Sequence, residues 1–382
     1  MDTIANINDF RKLAKHRLPK IFFDYIDGGS FSETTLLRNR SDFQKWELTQ
    51  RVLRIEEMPS LETEFFGATH GLPFMLGPVG FLGLYHRNGE VHTAKAAKKK
   101  AVPFCLSTFS LKSLDGLCRE VGGRIHFQLY MDRNKSFVEH LLQVAFEADI
   151  DTLYLTVDTS VTSVREKDVR NGFRALTKLN TKLFLAMIQK PGWCLDMLRS
   201  GSLKVEAVSN YPEFGKGILE QASKLSSRLD HSLTWEDFKW LRKKWEKKLV
   251  LKGILSSNDA LKAKDLGADA IVISNHGGRQ LDYATSTIAA LPEIRKAVGK
   301  EYCVMIDGGF RRGSEIVMAL GLGADGVLLG RGYAFALAAN GERGVEQAIE
   351  ILSNEISITL KLMGLRSVKE LQSLGRKCVK AY

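Results

Sequence analysis

The stretch AIVISNHGGRQLD at residues 270–282 decides how the rest of the sequence is interpreted. Ala270–Ile273 is a short, partly β-branched apolar run, which predicts a buried strand, and Ser274–Asp282 is a glycine-containing turn behind it. His276 and Arg279 therefore fall at the carboxyl end of a strand, where parallel α/β folds open their ligand clefts. A potential base, His276, and a permanently charged residue, Arg279, on one turn are suited to a reaction of an anionic substrate. The alternative is that the glycines only turn the chain and Arg279 only meets solvent.

Similar apolar runs recur along the chain and alternate with segments that have helical periodicity. Eight runs ending in small or polar residues are strand candidates: Pro73–Gly80, Val102–Thr108, Ile125–Tyr130, Thr152–Asp158, Leu249–Ile254, Ala270–His276, Tyr302–Gly309 and Asp325–Arg331. The helix candidates are Glu90–Lys100, Ser113–Val121, Phe137–Ala148, Trp235–Trp245, Asn258–Leu266, Ile288–Val298, Ser314–Leu320 and Gly344–Met363. Eight strand-then-helix repeats predict a single α/β domain over residues 1–382, a (β/α)8 TIM barrel. Residues 1–72 are then an N-terminal helical extension and lid.

The repeat is interrupted once, by an insertion over about residues 171–233, after the fourth strand. Its segment Leu183–Ile188 is apolar, is flanked by lysines and is followed by Trp193; the lysines are Lys178, Lys182 and Lys190. A basic rim around apolar residues with a tryptophan at the interface is typical of a peripheral membrane contact. A lid helix over the site, or packing on a neighbouring subunit, explains the same pattern equally well.

Composition and charge limit the classes of function. The net charge of +11 favours acidic partners such as anionic substrates, membrane surfaces or nucleic acid, although a basic surface that only keeps the protein soluble fits as well. The five cysteines form no CxxC pair, which predicts free thiols in a reducing compartment and a cytoplasmic location. No apolar run approaches the roughly 20 residues that span a bilayer, so any membrane contact is expected to be peripheral.

The polar residues at the ends of the predicted strands are candidates for one binding site, because these ends share one mouth of the barrel. In strand order they are Ser107, Gln128 and Tyr130, Thr156 and Asp158, Lys252, and His276, and the first strand ends at Val79 and Gly80 beside them. Buried polar side chains are costly unless they meet a ligand or one another, so they predict a large polar ligand. Asp307–Gly313 and Gly330–Arg331, at strands seven and eight, combine glycines with Arg311 and Arg331 where such barrels bind phosphate.

Two pairs of residues indicate the chemistry. Asp158 and His276 are a plausible orienting carboxylate and base, or else two satisfied structural residues. Arg165 and Arg279 could clamp a substrate carboxylate, whereas a salt bridge from Arg165 to Glu166 or Asp168 is the competing explanation. No histidines have metal-ligand spacing, so no metal is expected. No strand–turn–helix GxG fingerprint is present either, which argues against a Rossmann domain.

With these residues in place, the chain resembles the FMN-dependent L-2-hydroxy-acid oxidase and dehydrogenase family over nearly its whole length. The most specific match is SNHGGRQLD at Ser274–Asp282. The supporting motifs are LPK and DY within Leu18–Tyr25, FQLY at Phe127–Tyr130, TVD at Thr156–Asp158, LKG at Leu251–Gly253, DGGFRRG at Asp307–Gly313 and LLGR at Leu328–Arg331. Within the family, the segment Lys190–Asp196 and Gly80 resemble the membrane-associated L-lactate and S-mandelate dehydrogenases.

The resemblance implies a role for each site residue. His276 would accept the substrate proton with Asp158 supporting its charged form, Tyr25, Arg165 and Arg279 would bind the carboxylate, and Tyr130 would contact the hydroxyl or developing ketone. Lys252 would lie beside the flavin ring and stabilise its reduced form. The other FMN-binding positions implied are Val79, Gly80, Ser107, Gln128, Thr156, Asp307, Gly309, Arg311, Gly330 and Arg331.

Three departures from the family pattern bear on specificity. Val79 replaces a common threonine, Gly80 replaces the alanine typical of the oxidases, and Phe109 stands where glycolate oxidase has tryptophan. The resemblance therefore implies oxidation of L-lactate or S-mandelate, with a quinone or another carrier as electron acceptor, in a homotetramer at the inner face of the cytoplasmic membrane. A soluble oxidase that forms hydrogen peroxide is the alternative enzyme. A basic barrel scaffold that binds membrane or nucleic acid is the non-enzymatic alternative, although no nucleic-acid partner is expected.

Overall fold

The chain begins with helices and short strands that precede the barrel. A computed structural model describes residues 3–172, 181–200 and 203–382, and Lys178 lies outside these ranges. The first elements are α1 (Ile7–Arg17), α2 (Lys20–Asp27), α3 (Thr34–Ser41), β1 (Trp46–Leu48), β2 (Thr63–Phe65) and β3 (Ala68–His70). The extension is helical over α1–α3, as predicted, and it also contains three short strands that were not predicted, because three-residue strands are too short to produce a periodic signal.

Eight parallel strands then close into a barrel in the order β10-β11-β4-β5-β6-β7-β8-β9. They are β4 (Phe74–Leu76), β5 (Phe104–Ser107), β6 (Ile125–Leu129), β7 (Thr152–Thr156), β8 (Lys248–Ile254), β9 (Ala270–Ile273), β10 (Cys303–Ile306) and β11 (Gly326–Leu329). Almost every strand residue is buried, as expected for strands covered on both faces. The predicted (β/α)8 barrel is confirmed.

Helices cover the barrel and fill the insertion. In chain order they are α4 (Leu82–Tyr85), α5 (Gly89–Lys99), α6 (Leu114–Val121), α7 (Lys135–Glu147), α8 (Glu166–Asn171), α9 (Thr181–Ile188), α10 (Pro191–Leu198), α11 (Ile218–Ser227), α12 (Trp235–Lys244), α13 (Ser257–Asp265), α14 (Thr287–Val298), α15 (Gly313–Gly321), α16 (Arg331–Leu362) and α17 (Val368–Leu374). The strand β12 (Val379–Ala381) pairs antiparallel with β1. None of the helices in the described ranges is long and apolar enough to cross a membrane.

Several predicted strands extend too far at their carboxyl ends. The strand predicted to reach His276 ends at Ile273, because His276 has a left-handed backbone (φ 56°) that leaves the sheet. The helix predicted over Gly344–Met363 matches the second part of α16, which is interrupted by non-helical backbone at Asn340 and Gly341 (φ 60°). At the mouth, Ser107, Thr156 and Lys252 therefore lie within strands, whereas Asp158 and His276 lie on the turns that follow.

The amino-terminal end of the barrel is closed by the β2–β3 hairpin. Phe65 and His70 of the hairpin stack with ring centroids 3.7 Å apart, and Phe66 meets Tyr154 of β7 edge-on at 5.9 Å. Lys248 donates a hydrogen bond to the carbonyl of Phe66. Because this end is filled, the carboxyl end is the open mouth.

The insertion packs on the N-terminal extension through Trp193, which contradicts its interpretation as a residue at a membrane interface. Trp193 is 1% exposed, its ring lies 5.2 Å from that of Phe22, and its Nε1 donates to the carbonyl of Leu84 at 2.9 Å. Asp196 accepts a hydrogen bond from Arg17 of α1 at 2.8 Å. The aromatic side chain that looked like a membrane anchor is part of the core.

Candidate active site

A cavity of about 410 Å³ opens at the carboxyl end of the barrel. Most of the residues predicted from strand ends and loops line it, and they are Tyr25, Val79, Gly80, Ser107, Tyr130, Thr156, Arg165, Lys252, His276, Arg279, Asp307, Gly309, Arg311, Gly330 and Arg331. Two predicted residues lie behind this lining. Asp158 contacts His276, and Gln128 contacts Ser107. The fold therefore brings the predicted residues together around one space.

His276 is held with one ring nitrogen towards a carboxylate and the other towards a phenol. Its Nδ1 lies 2.9 Å from Asp158 Oδ1, and its Nε2 lies 3.4 Å from the Tyr130 hydroxyl. A carboxylate partner places the ring proton on Nδ1, which leaves Nε2 as an acceptor. Burial lowers the pKa of His276, and the attraction of Asp158 offsets this only in part. His276 is thus neutral near pH 7 and able to accept a proton.

The two partners of His276 have opposite protonation preferences. Burial by itself would raise the pKa of Asp158, but the neighbouring His276 outweighs it and lowers that pKa. Burial raises the pKa of the Tyr130 phenol well above its usual value, so Tyr130 keeps its proton and can donate it in a hydrogen bond. The trio therefore combines a carboxylate, a neutral base and a neutral donor.

Lys252 is a buried cation beside this trio. It is 5% exposed, its Nζ lies 2.9 Å from Asp307 Oδ2, and it donates to Ser274 Oγ at 2.8 Å. Burial would lower the pKa of Lys252, but the carboxylates of Asp307 and Asp158 outweigh it and raise the pKa. Lys252 therefore carries a positive charge at the cavity wall.

Ser274 is a site residue that the sequence analysis missed. Its hydroxyl accepts hydrogen bonds from both Lys252 and the backbone N–H of His276, the latter at 3.1 Å. Gln280, also missed, donates to the carbonyls of Asp158 at 2.6 Å and Val161 at 2.9 Å. Both belong to the motif at residues 274–282, so their position beside His276 was the available signal.

Two arginines approach the Tyr25 ring at the entrance. The guanidinium of Arg279 lies 4.8 Å and that of Arg165 lies 5.8 Å from the ring centroid. Arg279 also donates to the carbonyl of Gly28 at 3.0 Å. The salt bridge considered for Arg165 exists, since Asp168 Oδ2 lies 3.7 Å from its Nη1, yet Arg165 still lines the cavity. Two planar cations and a phenol suit a carboxylate ligand.

The cavity also carries buried polar atoms and clustered positive charge. Among the described residues, Gln128 Nε2, Thr156 Oγ1 and Asp307 Oδ1 are buried without a hydrogen-bond partner. Burial, together with nearby arginines, lowers the pKa of Arg311 to about 10 and that of Arg331 to about 9. Clustered cations of this kind are stabilised by a bound anion.

The glycines of the loop after β10 allow the backbone of this loop to come close to such an anion. Gly308 and Gly309 have φ values of 100° and 91°, which L side chains rarely adopt. Arg331 begins α16, so the positive end of that helix faces the same region. The region therefore suits a phosphate attached to a polar ring system.

Two of the departures from the family pattern, Gly80 and Phe109, are neighbours in the cavity wall near the loop after β4. A Cβ atom added to Gly80 would lie 3.1 Å from Phe109 Cβ, so alanine at 80 would crowd Phe109. The Phe109 ring lies 4.9 Å from Tyr130 and 5.8 Å from Phe81. The insertion also contributes to the wall, as its interpretation as a lid allowed, although the individual residues were not predicted; they include Ala222, Ser223, Ser226, Leu229 and His231.

Fold and site together define a (β/α)8 oxidoreductase with a phosphate-bearing cofactor. The chain belongs to the FMN-dependent dehydrogenase family, whose profile matches residues 14–377. It is 40% identical over 371 residues to the L-lactate dehydrogenase of Pseudomonas syringae pv. syringae (strain B728a), with 97% of each chain covered. The corresponding identity to the L-lactate dehydrogenase of Caulobacter sp. (strain K31) is 42%, covering 96% of this chain and 97% of the relative.

A solved relative agrees with this assignment. The crystal structure of the monotopic membrane protein (S)-mandelate dehydrogenase matches with a TM-score of 0.94 and 36% identity, and all of both chains is covered. FMN is the cofactor, as the resemblance implied. The cavity fits it, because Gln128 Nε2 and Thr156 Oγ1 can bind ring atoms and the arginines 311 and 331 can bind the phosphate.

Proposed function

We propose that this protein oxidises L-lactate or S-mandelate to the corresponding 2-keto acid. The observation that carries the proposal is the arrangement of His276, whose Nδ1 is bonded to Asp158 while its Nε2 faces Tyr130 in the same cavity as Arg165 and Arg279. This places a base between a carboxylate clamp and a hydrogen-bond donor, which is what removal of hydrogen from a 2-hydroxy acid requires.

Each side chain of the site has its own role in the proposed reaction. Arg165 and Arg279 bind the substrate carboxylate, and the Tyr25 ring supports them. His276 Nε2 accepts a proton from the substrate, and the Asp158 carboxylate stabilises the imidazolium that results. Tyr130 donates a hydrogen bond to the oxygen that becomes the ketone.

FMN supplies the acceptor for the two electrons. Lys252 lies at the cavity wall with Asp307 and contributes a positive charge that favours the reduced cofactor. Ser107, Gln128 and Thr156 would bind the polar edge of the flavin ring, with backbone contacts from Val79 and Gly80. The ribityl chain and the phosphate would be held by Asp307, Gly309, Arg311, Gly330 and Arg331.

Replacing His276 tests the catalytic assignment. The variant His276→Ala should bind FMN normally, because the phosphate and ring contacts remain, but its flavin should be reduced about 100–10,000-fold more slowly by L-lactate or S-mandelate. Anaerobic stopped-flow spectroscopy gives this rate per bound FMN. Near-normal flavin reduction in this variant would remove His276 from the proposed role.

The electron acceptor is proposed to be a quinone or another carrier rather than oxygen. Gly80, which resembles the dehydrogenase branch, and the similarity to the dehydrogenases named above support this choice. Parallel measurements of oxygen uptake and of reduction of a soluble quinone analogue test it. Turnover that is faster with oxygen and releases hydrogen peroxide would identify an oxidase instead.

We further propose that the enzyme is cytoplasmic and lies peripherally on the inner face of the cytoplasmic membrane. The helix α9 exposes Phe184 (53%), Leu185 (59%) and Ile188 (54%), and α10 exposes Leu195 and Leu198. Contiguous exposed apolar residues of this kind mark interaction surfaces. The similar (S)-mandelate dehydrogenase is itself described as a monotopic membrane protein.

A pair of charge substitutions tests the membrane contact. Phe184→Glu/Ile188→Glu should abolish sedimentation with anionic phosphatidylglycerol vesicles, because two buried carboxylates would oppose insertion. The matched control is Ile358→Glu/Leu362→Glu, which alters two exposed residues with the same spacing on α16 and should leave sedimentation unchanged. Sedimentation of the α9 variant at the wild-type level would contradict the proposed contact.

We also propose, from the family resemblance, that the protein forms a homotetramer. Light scattering should give a mass close to four times the 42.7 kDa of one chain. A monomeric mass at assay concentration would contradict it.

A further inference from the structure

The helix α3 of the N-terminal extension lies directly against the turn that carries His276. The backbone N–H of Ser30 donates to the carbonyl of Gly278 at 2.9 Å, and that of Thr35 donates to Asp282 Oδ1 at 2.8 Å. A Cβ atom on Gly278 would lie 2.5 Å from the backbone nitrogen of Leu36. The two backbones are therefore in contact, and the turn at residues 274–282 cannot move independently of α3.

A buried pair of asparagines joins the two segments. Asn39 Nδ2 donates to Asn275 Oδ1 and Asn275 Nδ2 donates to Asn39 Oδ1, both at 2.8 Å. Asn39 is 1% and Asn275 is 3% exposed. Each amide supplies one donor and one acceptor to the other, so the pair is matched only while both side chains remain amides.

Asn275 also holds the turn itself. Its Oδ1 accepts a hydrogen bond from the N–H of Gly278 at 3.0 Å, and its Nδ2 donates to the carbonyl of Thr285 at 3.1 Å. The side chain therefore spans the turn immediately next to His276. If Asn39 were lost, the buried Asn275 amide would keep Gly278 and Thr285 but would lose one donor and one acceptor, and buried hydrogen bonds that are not replaced cost free energy.

The turn requires this external support because its backbone is in a rarely populated conformation. His276, Gly277 and Gly278 have φ values of 56°, 64° and 75°, three consecutive left-handed residues. A left-handed histidine is unfavourable by itself and persists only where surrounding contacts impose it. The contacts that impose it include those from Ser30, Ser274 and Asn275. Through Asn275 they also include Asn39.

The same helix also contacts the loop after β10. A Cβ atom on Gly309 would lie only 1.9 Å from the carbonyl oxygen of Asn39, and Arg40 donates to the carbonyl of Gly309. The helix α3 thus holds the His276 turn and the Gly308–Gly309 loop in a common frame. Asn39 takes part in both contacts, because its side chain bonds Asn275 and its backbone carbonyl lies against Gly309.

We propose that Asn39 is a positioning residue for the reaction, acting through Asn275 to set the geometry of His276; the inference rests on the role proposed for His276. Asn39→Asp replaces the Nδ2 donor with an oxygen that faces Asn275 Oδ1, and Asn39→Ala leaves the Asn275 amide without its partner. Either change allows the turn to relax and displaces His276 from Asp158 and Tyr130. A displacement of about 1 Å can reduce a rate by about 100-fold, so a loss of about 10- to 100-fold is expected.

The control variant is Ser286→Ala. Ser286 Oγ donates to Asp42 Oδ2 at 2.6 Å, and Ser286 is 1% exposed. This change removes a buried hydrogen bond at the same junction between the extension and α14 but leaves the asparagine pair intact. Ser286→Ala therefore shows how the loss of a buried hydrogen bond affects the holoenzyme when the asparagine pair that supports His276 is unchanged.

The experiment measures three quantities for the holoenzyme of each variant. They are the anaerobic rate of flavin reduction by L-lactate and S-mandelate per bound FMN, the Kd of pyruvate from its perturbation of the flavin spectrum, and the midpoint of thermal unfolding. We expect both Asn39 variants to reduce flavin about 10- to 100-fold more slowly. The pyruvate Kd should stay within about twofold of wild type, because Arg165 lies outside the turn and Arg279 is held by its own hydrogen bonds to the carbonyls of Tyr25 and Gly28. Ser286→Ala should lower only the unfolding midpoint.

His276→Ala, measured in parallel, separates the two claims. If it reduces flavin at nearly the wild-type rate, the proposed function of His276 fails. If it is slow while the Asn39 variants reduce flavin at the wild-type rate, or lose no more than Ser286→Ala does, only the positioning role of Asn39 is overturned.

Discussion

The protonation state of His276 determines when the enzyme can begin a turnover. Burial lowers its pKa below the ordinary value of 6.5, and Asp158 only partly compensates. Because a base must be neutral to accept a proton, kcat/KM should be high at pH 7 and should fall as the pH decreases through that lowered pKa.

Measurement of kcat/KM for the faster of L-lactate and S-mandelate between pH 5 and 8, with an artificial acceptor, checks this. In the variant Asp158→Asn the pKa of His276 should fall further, because the carboxylate that raises it is removed, and turnover should also slow. A wild-type rate that increases as the pH drops from 7 to 5 would contradict a neutral histidine base.

At single residues, sequence motifs predicted what lines the cavity but not what supports the lining. The strand-end rule and the family motifs placed His276, Lys252, Arg279 and Tyr130 around one space, as the structure does. Asn39 could not be predicted, because its partner Asn275 is 236 residues away and nothing in the local pattern links them. The coupling of Gly80 to Phe109 likewise depends on a contact between two loops.

At the level of elements, the hairpin that closes the base of the barrel depends on a neutral histidine. Arg124 Nη1 donates to His70 Nδ1 at 3.0 Å, and His70 Nε2 lies 3.2 Å from the carbonyl of Phe65, which it can only reach as a donor. Burial lowers the pKa of His70 to about 4. Protonation of Nδ1 would break the bond from Arg124 and place two cations together.

The hairpin should therefore weaken in acid. The folded pKa of His70 lies below the unfolded value of 6.5, so the unfolded chain binds more protons between these values, and stability is lost as the pH falls below about 6.5. The unfolding midpoint should drop by a few degrees between pH 7 and pH 5. In His70→Gln, whose side chain does not titrate, part of that drop should disappear; an unchanged pH dependence would contradict the assignment.

Elements with a long periodic signal were predicted well, and short or irregular ones were not. All eight barrel strands and one long helix after each of them were identified, because near-continuous apolar runs and helical periodicity both persist over several residues. The short helices α4 and α8 were not predicted. The three-residue strands β2 and β3 carry no such signal. Trp193 was misread because an aromatic residue in a basic, apolar segment has the same sequence signature whether it faces lipid or the core.

At the scale of the whole molecule, the positive charge of the cavity and the exposed apolar residues of the insertion come from different residues. The positive charge of the cavity comes from Lys252, Arg165, Arg279, Arg311 and Arg331, which suits both an anionic substrate and a phosphorylated cofactor. The exposed apolar residues of the insertion lie on α9 and α10. In the proposed function, the substrate therefore enters a cationic mouth, while residues that do not line the cavity contact the membrane.

The most direct test of this account is the visible spectrum of the purified holoenzyme under anaerobic conditions. The account predicts a yellow flavin spectrum that is bleached by L-lactate or S-mandelate and remains unchanged with the corresponding D or R enantiomer. A flavin spectrum that neither L-lactate nor S-mandelate bleaches would contradict the proposed reaction.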